Sequence, residues 1–555
     1  MSAQNPGVAI NIDAQANRHP ISSLIYGVNL FEDPNATAIL QDLNCPLNRY
    51  GGNRASTYNW NINSDNRGND FFFESISDDV TSPAGVRGDT FISTTKAASA
   101  EPMITIPMLP WIAKAGTQQP FLCSYPKSAF PNQDAFDGNN NCGDGLTPPP
   151  NSKMIDGADP NVAFVANPGT ANTQDSQQAW VKHIVAKFNS AANGGLNYYI
   201  LDNEHDLWRE THHDAVPDGP HNTEDRDLMF QYAGMIKSLD GNALVVAPEI
   251  SGWLGYELSP YDVEYGESIN FAQSIDTFPD RKTIIAAGGN DYAPWLLGQF
   301  KQYADAHQGQ RLLDIFAVHY YPQGGNNNTN TRSLWDPNFL DPSFINDKIM
   351  LIPRMKQWVA NNYPGTKIGV TEYNWGSIND EINADNMSYA VTQADVLGIF
   401  AREGLDLATR FNAPPKLDVM GKPLPTYNAL KMYRNYDGNK STFGDVSTSA
   451  TVPNPDTVAA FSAQRTSDGS LTVMILSKYQ AGNTPATVTL ANFMNNGPAH
   501  VWQLSGSGTA IQQLADIPLN NAALNLALPP QSITLLVIPS ATNQPKKRRS
   551  QLTSQ

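Results

Sequence analysis

Positive charge is scarce in this chain. Its 555 residues hold 36 Lys+Arg against 53 Asp+Glu, a formal net charge of −17 at pH 7. Binding a polyphosphate backbone or an anionic bilayer relies on clustered Lys and Arg, so this composition excludes nucleic acid and anionic membrane as partners. Cysteine is nearly absent as well. Three residues, Cys45, Cys123 and Cys142, match neither a four-ligand zinc site nor a Cys-x-x-Cys pattern. No run approaches the ~20 apolar residues that span a bilayer. The opening residues MSAQNPGVAINI show no basic and apolar leader, so the expectation is a protein soluble as written. Charged residues reach only 16% while aromatics reach 10%, which is a globular rather than a disordered composition. The surface is therefore expected to be rich in Asn, Gln, Ser and Thr, in keeping with a secreted protein.

Short apolar runs alternate with longer amphipathic stretches. Residues 24–30, 46–51, 103–109, 197–201, 243–248, 315–320, 368–371 and 405–409 read as eight strands, with helices at 177–190, 225–238, 295–307, 353–362 and 389–403. That order predicts an α/β fold, a (β/α)8 TIM-type barrel with long loops. After about residue 435 the helical period vanishes. Runs at 458–464, 471–477, 486–490, 500–504, 524–528 and 533–538, separated by turn signals, predict a C-terminal β-sandwich. The expected organisation is residues 1–21 as a strand joining the sandwich, 22–435 as the catalytic barrel, 436–541 as the sandwich and 542–555 as a disordered basic tail.

Barrel chemistry sits at the C-terminal strand ends. Strand four ends Tyr198-Tyr199-Ile200-Leu201-Asp202-Asn203-Glu204, and strand seven runs Ile368-Gly369-Val370-Thr371-Glu372-Tyr373-Asn374-Trp375. Two Glu residues facing one another across the barrel mouth suit glycosidic hydrolysis, which needs one carboxyl to protonate the leaving oxygen and another to attack or support the sugar centre. The Asn203 amide beside the acid can bind a sugar hydroxyl. Arg49, at the end of strand two, is suited to hold a carboxylate ionised, a buried floor salt bridge being its other reading. The turn Gly51-Gly52-Asn53 lets backbone approach a ligand, and His319-Tyr320-Tyr321 supplies a hydroxyl to orient a nucleophile. Trp60, Trp111, Trp208 and Trp375 lie in rim loops, where indole faces suit sugar rings, and together they imply an elongated groove.

A metal reading competes: His205, His212, His213 and His221 follow strand four with Asp202, Asp206 and Asp214, but without the His-Glu-x-x-His pattern. Asp137, Asn139, Asn141 and Asp144 offer hard oxygens in a Gly-bearing loop, candidate ligands for a structural calcium. In the same excursion lie Cys123 and Cys142, with 18 residues between them. A bridge there would stabilise by ~3 kcal/mol and imply an oxidising compartment; two unpaired thiols are the alternative. Cys45 reads as a buried free thiol.

Several blocks carry a resemblance: Asn48-Arg49-Tyr50-Gly51-Gly52-Asn53 with Tyr58-Asn59-Trp60 and Gly68-Asn69-Asp70; Leu201-Asp202-Asn203-Glu204 with Leu207-Trp208; His319-Tyr320-Tyr321-Pro322; Thr371-Glu372-Tyr373-Asn374 with residues 393–400; and Met432-Tyr433-Arg434-Asn435-Tyr436-Asp437-Gly438. In order and over most of the chain, they resemble glycoside hydrolase family 44, a family of endo-β-1,4-glucanases often active on xyloglucan. The resemblance implies a barrel plus sandwich and a retaining double displacement, with Glu204 as acid/base and Glu372 as nucleophile. It implies cellulose-type glucan, mixed-linkage glucan or xyloglucan as substrate, a tendency to bind calcium, no catalytic cofactor, and secretion. The chain departs from the family pattern at residues 376–380 and 387–390, at Thr409-Arg410-Phe411 and at Val216, all near the groove or its support. Mannan or xylan hydrolysis on the same scaffold and an inactive carbohydrate-binding protein are the other readings. Nothing in the sequence calls for an obligate partner, so a monomer is expected.

Overall fold

The computed structural model describes residues 4–77, 82–114, 122–150, 152–155, 177–324, 330–375, 385–418, 420–506 and 510–541, and the backbone of 162–164. The basic tail and the departure at 376–380 lie outside the described residues.

Eight strands close into a barrel: β1 Gly27–Asn29, β2 Leu47–Tyr50, β3 Glu101–Ile106, β4 Tyr198–Leu201, β5 Leu244–Ile250, β6 Ile315–Tyr320, β7 Lys367–Tyr373 and β8 Leu407–Arg410. Every neighbouring pair is parallel, and β8 closes on β1 through Thr409↔Gly27. Both faces of each strand are covered, one by the barrel interior and one by helices, so the strands read as continuous apolar runs rather than alternating ones. β4 is the plainest case: Tyr198, Tyr199, Ile200 and Leu201 are all buried. These eight strands are the eight read from the sequence.

A helix follows each strand: Ala36–Leu43, Val86–Ala97, Gln177–Phe188, Asn222–Leu239, Tyr292–Ala306, Leu351–Asn362, Met387–Glu403 and Pro425–Arg434. Leu351–Asn362 shows why they form. Leu351, Ile352, Met355, Trp358 and Val359 fall on one face at helical spacing and are buried against the barrel. Met387–Glu403 is buried nearly all round, because it is wedged between barrel and sandwich. Its N-terminus is capped by the Asn386 side chain, which accepts from the amides of Ser388 and Tyr389. Gly398 on this helix meets Phe461 of the sandwich so closely that a Cβ would fall 2.2 Å from the ring.

The remaining strands, from Val446–Thr451 to Ser532–Ile538, form the antiparallel part of the molecule around Ile10, Ile12, Val473, Ile475, Val488, Leu524 and Leu536. The N-terminal strand Val8–Asp13 lies among them, antiparallel to Val446–Thr451 and parallel to Thr484–Ala491. Two of these strands escaped the sequence reading. Gln512–Ile517 is almost wholly exposed at the sheet edge, and Val446–Thr451 is largely Ser and Thr, so neither carries an apolar signature. Among the described residues no helix is long and apolar enough to cross a membrane.

Candidate active site

The turn after β4 sets the geometry. Asp202 and Glu204 both take left-handed backbone, with φ 57° and 44°, a conformation that non-glycine residues hold only when their surroundings fix it. Here the buried Asp202 carboxylate does so, accepting from the amides of Met108, Leu109 and Asn203. From β4 the turn presents Asn203 and Glu204 to the barrel mouth, opposite Glu372 on β7.

Arg49, fully buried on β2, ties the mouth together. Its Nη1 donates to Glu372 Oε1 at 2.6 Å, and Nη2 to Glu249 Oε2 at 2.9 Å and Asn203 Oδ1 at 2.7 Å. Glu372 also accepts from the Tyr321 hydroxyl at 2.9 Å. Both its oxygens are thus engaged by donors. Glu204 is served differently: Oε1 meets His319 Nδ1 at 2.8 Å. Burial raises its pKa to about 7 against the pull of His319, which is the state a proton donor needs. One oxygen of Glu204, one of Glu372 and a nitrogen of His319 lie within 4.8 Å of one another.

Asn203 is locked by its neighbours. Its Oδ1 accepts from Arg49 and from the Gly52 amide, and its Nδ2 donates to Asn53 Oδ1 at 2.9 Å. Gly52 has φ 92°, which only glycine adopts without strain. Asn53 in turn donates to Asp70 at 3.1 Å.

The structure brings together Arg49, Asn53, Asn203, Glu204, His319, Tyr321 and Glu372. It separates the others. Tyr320 is buried with its ring 5.6 Å from Trp375, and its hydroxyl faces Ser333, so the hydroxyl on Glu372 belongs to Tyr321. The expected groove of four indoles is corrected. Trp60 is buried against His183, and Trp208 is buried with Nε1 donating to the Asn203 carbonyl at 3.1 Å, which makes both supports of the loops. Trp375 is 6% exposed, its Nε1 donating to the Asn330 carbonyl, and Trp111 alone of the four is half-buried, in a short strand paired with Val162–Phe164. Indole burial in a loop depends on long-range packing, which spacing does not encode.

One site residue went unread. Glu249, the next-to-last residue of β5, is fully buried and accepts from Arg49, His319 Nε2 at 3.1 Å and Thr371 Oγ1 at 2.8 Å. Burial opposes its ionisation, but Arg49, His319 and Thr371 outweigh that and lower its pKa. Its position at a strand end, after Pro248, was the available signal.

Among the described residues, the His-rich segment after β4 does not gather its side chains at metal-ligand spacing. His205 is spent between Asp225 and the Leu201 carbonyl, His221 pairs with Asp280, and His213 packs on Phe73 and Tyr125. Among the described residues only Glu204, His319 and Glu372 have metal-ligand spacing. Both nitrogens of His319 face carboxylates, whereas a metal ligand presents one bare nitrogen. The loop candidates for calcium also need correcting. Asp144 accepts from the amides of Ala135 and Leu146, and Asn139 is exposed. Asp137 instead faces Glu74, which strand pairing brings opposite Cys123. Glu74 Oε2 and Asn140 Oδ1 are buried without a hydrogen-bond partner. Burial and the facing Asp137 raise the Glu74 pKa to about 7. Buried, unpaired oxygens of this kind are a donor set that fits a hard cation. The same loop is closed by a Cys123–Cys142 disulfide, while Cys45 is a buried free thiol.

A parallel eight-stranded barrel with paired glutamates at its mouth, after β4 and on β7, is the arrangement of a glycoside hydrolase. Comparison with known proteins agrees. The model of glycoside hydrolase family 44 matches residues 64–324. The chain is 47% identical to CelM2, a bifunctional glucanase-xylanase from a metagenome library, over 97% of this chain and 100% of that one, with a TM-score of 0.87. Endoglucanase A of Paenibacillus lautus is 27% identical over 98% of this chain and 74% of its own length. A family 44 xyloglucanase of Paenibacillus polymyxa shares the fold at 24% identity, covering 97% of this chain and 100% of that one, with a TM-score of 0.77. The chain belongs to glycoside hydrolase family 44.

Proposed function

We propose that this enzyme is an endo-acting, retaining hydrolase of β-1,4-glucans, with Glu204 as acid/base and Glu372 as nucleophile. The observation that carries the reading is the approach of the Glu204 and Glu372 oxygens to within 4.8 Å. Retaining glycosidases hold their carboxyls ~5–5.5 Å apart, and inverting ones leave room for a water. In the first step the Glu204 proton passes to the glycosidic oxygen as Glu372 attacks the anomeric carbon. The C–O bond to the leaving sugar breaks and a glycosyl–Glu372 ester forms. In the second, Glu204 takes a proton from water, whose oxygen attacks the anomeric carbon and frees Glu372. The Asn203 amide, already fixed by Arg49, Gly52 and Asn53, is placed to bind a hydroxyl of the reacting sugar. The glucanase, endoglucanase and xyloglucanase names of the relatives support glucan as substrate.

Reducing-end release from carboxymethyl-cellulose, mixed-linkage glucan, xyloglucan, xylan and mannan tests this directly. Turnover of a β-glucan supports it; silence on all five favours a carbohydrate-binding protein. Activity on xylan as well has a specific argument in its favour, the glucanase-xylanase name of the 47% identical CelM2.

Glu204→Ala is expected to cost polymer hydrolysis roughly 10²–10⁴-fold while sparing aryl glycosides with good leaving groups far more, because those need little protonation. Equal losses on both substrates contradict the acid role. Because Glu204 must be protonated and its pKa is raised to about 7, activity is expected to fall as pH rises through about 7.

A structural calcium held by Glu74, Asp137 and Asn140 belongs to the same reading, tying the Cys123–Cys142 loop to the barrel rim. Adding CaCl2 to chelator-treated enzyme is expected to raise Tm by on the order of a few °C. The shift is expected to vanish in Glu74→Gln; calcium without effect on the parent contradicts the site. The disulfide also supports action in an oxidising compartment outside the cell.

A further inference from the structure

We propose that Glu249 is a positioning residue for the acid: its carboxylate keeps His319 as an imidazolium, so that Nδ1–H always donates to Glu204 and the Glu204 proton stays on the oxygen that faces the substrate. The inference rests on the reading of Glu204 as acid and Glu372 as nucleophile.

The geometry of His319 is the starting point. The side chain is fully buried, and its two nitrogens face two different carboxyl groups, Nδ1 towards Glu204 at 2.8 Å and Nε2 towards Glu249 at 3.1 Å. Its carbonyl is pinned by the Tyr256 hydroxyl at 2.5 Å. A neutral imidazole has one N–H and one lone pair. If the N–H served Glu249, the lone pair on Nδ1 would accept the Glu204 proton. The acid would then point its hydrogen at His319 instead of at the glycosidic oxygen. A doubly protonated ring removes that competition.

What keeps the second proton in place is the charge around the ring. Glu204 faces it from the turn after β4, Glu249 from β5 and Glu372 from β7, with Nδ1 3.8 Å from Glu372 Oε2. Arg49 reaches Glu249 and Glu372 from β2, Tyr321 donates to Glu372, and Thr371 donates to Glu249. In the form ready to react Glu204 is neutral, so it no longer supports the imidazolium. Two anions, Glu249 and Glu372, then balance two cations, Arg49 and His319, in a site almost closed to water. Burial disfavours the charged ring, yet the carboxylates overcome it and raise the His319 pKa to about 10. When Glu372 becomes an ester and Glu204 gives up its proton, the negative charge moves from one to the other and the balance holds. Glu249 is the one carboxylate of the three that stays anionic throughout.

The sign of the test follows. Removing a buried negative charge from beside the Glu204–His319 pair makes the pair release a proton more readily. Glu249→Gln is therefore expected to move the alkaline limb of kcat towards acid by roughly 1–3 pH units. It should lower kcat at neutral pH by at least about tenfold, with KM changed far less, since the loss falls on proton donation. Glu249→Asp keeps the charge and is expected to restore the position of the limb. A folded Glu249→Gln enzyme whose limb coincides with that of the parent overturns the proposal. A second measurement does not depend on Glu249→Gln folding. With 15N-histidine labelling and the His319 signal assigned by its loss in His319→Gln, both ring nitrogens of the parent are expected to be protonated at pH 8; a neutral ring overturns the proposal. Glu372→Gln assayed alongside separates the two levels. Turnover at the parental rate there removes the reading on which the proposal rests, while a dead Glu372→Gln with an unmoved Glu249→Gln limb overturns the role of Glu249 alone.

Discussion

Glu372→Gln is expected to lose turnover on every glucan by roughly 10³–10⁵-fold, equivalent to about 4–7 kcal/mol of barrel-mouth chemistry at 1.36 kcal/mol per tenfold. The amide is isosteric: its oxygen still accepts from Arg49, and its NH2 takes the place of the oxygen that met Tyr321, whose hydroxyl can turn to accept from it, so the pocket keeps its shape. What disappears is the proposed nucleophile. Arg49 is not left without an anion, because Glu249 remains 2.9 Å from Nη2. Folding stability is therefore expected to change by less than about 2 kcal/mol, in contrast to a residue whose removal strands a buried charge. Denaturant melts and initial rates on one soluble glucan measure both quantities. A folded variant of ordinary activity contradicts the assignment.

Arg49→Met inverts that pattern. Its guanidinium is buried and shared among Glu372, Glu249 and Asn203. Without it two carboxylates, 6% and 0% exposed, are left to share the one remaining cation, His319. Breaking a buried pair from one side costs about 3–5 kcal/mol, because the charge left behind is uncompensated. Activity is expected to fall with stability, since Glu372 and Asn203 both lose the donor that orients them. Arg49→Lys should recover part of the stability but little activity. A single ammonium does not reproduce the fork that serves three acceptors at once. Retention of both stability and turnover in Arg49→Met would contradict the role given to this residue.

The barrel was legible because parallel strands are buried on both faces and so appear as unbroken apolar runs, as in Tyr198–Leu201. The glutamate pair was legible for a related reason: a strand that ends abruptly in Asp202-Asn203-Glu204 marks the rim of a barrel. The indoles were not. Trp60 and Trp208 occupy rim loops in the sequence, but the chain folds them inward against His183 and under Asn203. Glu249 was equally silent, because its importance comes from Arg49, His319 and Thr371, which lie 200, 70 and 122 residues away along the chain. The oxygens around Asp137 show the same limit. Glu74, 63 residues earlier, reaches that loop only through its strand pairing opposite Cys123.

The stereochemistry of the first product tests the account most directly. When a soluble β-1,4-gluco-oligosaccharide is cleaved in an NMR tube, the new reducing end is expected to appear first as the β-anomer and to equilibrate only afterwards, as double displacement through Glu372 requires. Initial appearance of the α-anomer would mean that water attacks directly, and would contradict the roles assigned to Glu204 and Glu372.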